Sequence, residues 1–76
     1  MTMNMSHADT QNVIYDLVSV TYHALQGAET CDQYISDAEQ SGNRELSQFF
    51  REFQEENKKM ASRAQQLLSS QLSQQH

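Results

Sequence analysis

Glu29 and Glu56 stand either side of Ser41-Gly42-Asn43, the one strong turn signal in the chain, 13 residues before Gly42 and 14 after it. Folded back at Gly42 as two antiparallel helices, the chain brings these carboxylates to one level. Paired acids at one level of a helical bundle are the raw material of a divalent metal site, because hard cations take oxygen ligands. Asp32, three residues on from Glu29, is a third candidate ligand. The competing reading is an ordinary ion pair. Glu56 and Lys59 are spaced i,i+3, as are Glu55 and Lys58, and such pairs on a helix surface contribute about 0.2–0.5 kcal/mol each.

The elements that must position these acids are two long helices. Proline is absent, glycine occurs only at 27 and 42, and Gln, Glu, Ala, Leu and Ser dominate, leaving long stretches free of helix breakers. The reading is a flexible N-terminal arm over 1–8, helix 1 over about 9–40, a turn at 41–43, helix 2 over about 44–72 and a disordered Gln/Ser tail over 73–76. Ser6 or Asp9 is placed to cap helix 1, Gly42 to end it in the left-handed conformation, and Asn43 to cap helix 2, with Glu45 in its first turn.

At 100° per residue, helix 1 gathers Ile14, Leu17, Thr21, Ala24, Leu25, Ala28, Cys31, Ile35 and Ala38 on one face. Helix 2 gathers Leu46, Phe49, Phe50, Phe53, Met60, Ala64, Leu67 and Leu68. Both stripes are broader than one partner helix covers, and flanks such as Val20, Tyr34 and Phe50 are left for water. The fold class is therefore all-α: a two-helix antiparallel hairpin that self-associates into a four-helix bundle, as homodimer or higher homo-oligomer. Asp32 lies inside the first stripe, Glu56 and Asn57 inside the second, and Glu29 at the edge of the first. A buried acid needs a cation, a hydrogen-bond donor or its own proton. His23 projects away from the core, while Cys31 sits on the apolar face as a small hydrophobe.

The run Ala-Leu-Gln-Gly-Ala-Glu-Thr-Cys-Asp-Gln-Tyr-Ile, the turn Ser-Gly-Asn-Arg-Glu-Leu and the run Phe-Phe-Arg-Glu-Phe-Gln-Glu-Glu-Asn-Lys-Lys-Met-Ala together resemble a half-ferritin helical hairpin. The likeness is to rubrerythrin-type and encapsulated-ferritin-type members of the ferritin-like superfamily, and covers Leu25–Leu68, 44 of the 76 residues. It implies a Glu from one helix and Glu-x-x-His from the next, two hairpins together holding two iron ions. Glu29 matches the first Glu and Glu56 the second. The position three after Glu56 is Lys59, whose charge repels an incoming cation, and neither Glu52 nor Glu55 is followed by a His at that spacing.

Composition excludes several classes. A formal charge of -5 with five Lys and Arg gives no phosphate-binding footprint, so nucleic acid is not a partner. No apolar run reaches membrane-spanning length. One cysteine forms no intramolecular disulfide and the start lacks a basic region followed by an apolar run, so the chain is read as cytoplasmic and the triplet Asn4-Met5-Ser6 as unglycosylated. There is no Gly-rich phosphate loop, nucleophile elbow or Cys pair for zinc, so no catalytic residue is nominated and no cofactor expected. The leading expectation is a non-enzymatic, self-associating structural or interaction module. The alternative is a carboxylate-only site in which Glu29, Glu56 and Asp32 from two chains hold iron or another divalent ion for storage or ferroxidase chemistry.

Overall fold

A computed structural model describes the backbone of residues 6–74 and the side chains of residues 11–74. Two helices, α1 (Ser6–Gln40) and α2 (Arg44–Ser73), pack against each other along the hairpin, with no strand among the described residues. α1 thus takes in residues 6–8, assigned above to the arm, and α2 takes in Ser73, assigned to the tail. Neither segment holds a helix breaker. The rest of the arm, the capping roles of Ser6 and Asp9, the glycosylation triplet and residues 75–76 of the tail lie outside what is described.

The turn forms as its residues dictate. Gly42 has φ 74°, the left-handed conformation. Its N–H donates to the Glu39 carbonyl at 3.0 Å and that of Asn43 to the Ala38 carbonyl at 3.0 Å, the paired bonds of a Schellman motif. Asn43 then caps α2, its side-chain oxygen accepting from the Leu46 N–H at 3.0 Å. Three residues thereby satisfy the end of one helix and the start of the next.

The seam between the helices follows a strict three-four spacing on each side. In α1 it runs Ile14, Leu17, Thr21, Ala24, Ala28, Cys31, Ile35 and Ala38, the stripe read from the sequence, without Leu25. In α2 it runs Ser47, Phe50, Gln54, Asn57, Ala61, Ala64, Leu68 and Gln71. Ala24, Ala28, Cys31, Ala38, Ser47, Ala61 and Ala64 are all buried, so the closest approach is made by small side chains. The helices close tightly and bury little apolar area each, which at about 25 cal/mol per Å² makes a thin core.

The α2 seam corrects the stripe read for that helix. Leu46, Phe49, Phe53, Met60 and Leu67 point away from α1, with Phe49 57% and Met60 56% exposed. That stripe is centred about 100° around the helix from the seam. The expectation followed side-chain size, whereas the close contact selects the face that carries Ser47, Ala61 and Ala64 beside Phe50 and Leu68. Glu56, placed inside the buried stripe by that reading, is exposed with these residues. Val20 and Tyr34 are exposed as expected, but Phe50 is half-buried, its ring 5.6 Å from that of Tyr34.

Candidate functional site

The two flanks of the seam differ in chemistry, and cross-helix contacts fix which residues share a flank. On one, the Gln54 side-chain amide donates to Asp32 Oδ1 at 2.8 Å and to the Ala28 carbonyl at 2.7 Å, and Arg51 pairs with Glu39. On the other, Tyr34 meets Phe50, and the Asn57 amide lies against Gly27, where an added Cβ would stand 3.2 Å from Asn57 Nδ2. The first carries these polar pairs, and with them Tyr15, Val18, Tyr22 and Leu25 from α1. The second carries Val13, Val20 and Tyr34 from α1 and Leu46, Phe53, Met60 and Leu67 from α2, bordered by Phe49.

The candidate ligands divide between these flanks. Glu29 is exposed beside Tyr22, Leu25 and Gln26, on the side of Asp32. Glu56 follows Phe53 and precedes Met60 at three-four spacing, which puts it on the apolar flank. The contacts Gly27 with Asn57 and Tyr34 with Phe50 confirm that Glu29 and Glu56 are level. Level is not facing: within one chain the seam separates them. Asp32, read as lying inside the buried stripe, is exposed because it stands one residue beyond the seam position of Cys31, and its carboxylate accepts from Gln54.

Glu56 Oε2 lies 3.6 Å from Lys59 Nζ, and Glu55 Oε2 lies 3.6 Å from Lys58 Nζ, both pairs well exposed. Among the described residues no three His, Cys, Asp or Glu side chains gather as a metal site would require. The ferritin-like resemblance draws its donor set from two hairpins, and the described residues of one hairpin show no such cluster. His23 is exposed, edge-on to Tyr22 at 5.5 Å. Cys31 is a free thiol with 0% exposure; burial, and secondarily the Asp32 carboxylate, push it up from the ordinary thiol range.

Two features were not singled out from the sequence. Gly27 is a notch that admits the Asn57 amide, whose Nδ2 is buried without a hydrogen-bond partner. Arg63 follows the outward stripe, one heptad after Glu56, and has no carboxylate partner among the described residues. Writing α2 as heptads would have brought out Arg63, since 56 and 63 repeat at seven, whereas the notch at Gly27 shows only once α1 is set against Asn57.

No protein-family model matches this chain, and no curated protein or solved structure matches it either. No helix among the described residues is long and apolar enough to cross a membrane.

Proposed function

We propose that this chain is a non-enzymatic helical-hairpin module whose task is self-association, two copies pairing into a four-helix bundle of ferritin-like type. The observation that carries this is the division of labour in α2: its seam to α1 is built on Ser47, Gln54, Asn57, Ala61 and Ala64 with Phe50 and Leu68 among them, while Leu46, Phe49, Phe53, Met60 and Leu67 lie exposed along one stripe, with Glu56 and Arg63 set among them. Exposed apolar patches of this kind mark association surfaces. The hairpin measures 53 × 28 × 14 Å along its principal axes, which leaves a broad face on which an interface of the roughly 800 Å² per partner of a stable complex can form. The reading extends to a cytoplasmic setting, with Cys31 kept as a thiol. Sedimentation equilibrium tests it. The parent chain sediments as a dimer or larger assembly at micromolar concentration, and Phe53→Asp shifts it toward monomer with its helix content largely retained. A monomeric parent at hundred-micromolar concentration overturns the reading.

A second reading has its own observation. Glu29 ends the stripe Tyr15, Val18, Tyr22 and Leu25 on the flank opposite to Glu56. Copies that met by unlike flanks would bring Glu29 of one to Glu56 of the next, a carboxylate pair for iron or another divalent ion, with Asp32 beside it. Ferrous iron titration with native mass spectrometry decides this. Stoichiometric metal in the parent, lost in Glu29→Ala/Glu56→Ala, supports the metal reading, and no metal at millimolar iron removes it.

A further inference from the structure

We infer that the outward stripe of α2 is covered by the same stripe of a second copy running antiparallel, locked by two reciprocal Glu56–Arg63 pairs; this rests on the self-association reading. The stripe Leu46, Phe49, Phe53, Glu56, Met60, Arg63 and Leu67 holds two charges of opposite sign one heptad apart. An antiparallel self-pairing centred on Met60 is the arrangement that sets each against the other in both directions. It opposes Met60 to Met60 of the second copy and Phe53 to Leu67, apolar on apolar at the centre of the contact, while Phe49 and Leu46 lie toward Ser70 and Gln74 at its ends. A two-fold axis makes such an interface self-complementary.

The geometry of α2 agrees with this pairing. Its two stripes are centred about 100° apart around the axis, close to the right angle between the neighbours of a helix in a square four-helix bundle. The hairpin turns then lie at opposite ends. The other two-fold arrangement, with both turns at one end, lays α2 on α1 of the second copy. From the levels fixed by Gly27 with Asn57 and Tyr34 with Phe50, it brings Arg63 to the turn of His23 and Glu56 to that of Thr30. Neither offers the opposite charge. Glu56 is free to choose, because its pair with Lys59 is 3.6 Å long and solvent-exposed, and such pairs hold weakly.

Charge reversal of the full-length chain, read by sedimentation equilibrium, tests the pairing. Glu56→Arg and Arg63→Glu should each weaken dimerisation about tenfold or more, and the double variant Glu56→Arg/Arg63→Glu should return the dissociation constant to within about threefold of the parent. Independently, Met60→Cys in a Cys31→Ala background should form a disulfide-linked dimer on mild oxidation, which the same-end arrangement forbids. A parent that dimerises without rescue in the double variant and without cross-linking at position 60 overturns the antiparallel pairing and leaves self-association standing. A parent that stays monomeric overturns both.

Discussion

Cys31 shows what position along the seam does to a single side chain. It is fully enclosed between the helices, and its thiol is pushed up by loss of solvent, with the nearby Asp32 carboxylate adding to the effect. Below the ordinary thiol pKa of about 8.5 it is neutral whether the chain is folded or not, and contributes no pH dependence. Above that value the unfolded chain loses its proton more readily than the folded one. Stability therefore falls as pH rises from the ordinary thiol range toward the raised folded value. The urea midpoint should drop between pH 8 and pH 10 more steeply in the parent than in Cys31→Ala; equal slopes would show that the thiol does not titrate differently on folding. Cys31 was legible as a buried thiol because it sits between Ala28 and Ile35 at helical spacing. Asp32 and Glu56 were read into apolar stripes, because apolar spacing alone does not separate a seam from the positions one residue to either side of it.

At the scale of the element, the turn carries the most information per residue. Gly42 adopts φ 74° with nothing within 4 Å of where a Cβ would be, so a substitution there is opposed by backbone conformation and not by crowding. Gly42→Ala should cost roughly 1–2 kcal/mol, the penalty of the left-handed region for a residue with a Cβ. Gly42→Asn should cost less, since Asn tolerates that region. Thermal melts followed by circular dichroism separate the cases, and an Ala variant as stable as the parent would mean that the helix end relaxes to another cap. Gly42, Asn43 and Glu45 were all legible because a three-residue connection leaves few chemical solutions. The face that α2 turns to α1 was legible only in part, through Phe50, Ala64 and Leu68. Size alone marks Phe49 and Met60 as interior, yet Ala61 and Ser47 join the seam because they let the backbones approach, and small groups add little periodic signal in hydropathy.

For the whole molecule, the consequence is a hairpin whose bulk lies outside its own core. If pairing covers the α2 stripe, assembly stabilises the folded hairpin by mass action, and the melting temperature depends on protein concentration. A tenfold dilution should then lower it by about 3–6 °C, whereas a self-sufficient hairpin melts at the same temperature throughout. Phe53→Asp should abolish the dependence along with the assembly. The slab is only 14 Å thick, so no side chain lies more than one layer from a broad face. Such a chain has no interior in which to hide when alone. An unpaired copy would show Phe49, Phe53 and Met60 to chaperones and proteases that recognise exposed apolar segments. Its lifetime in a cell would then follow the supply of its own kind, so that abundance is policed by assembly and not by the durability of any single copy.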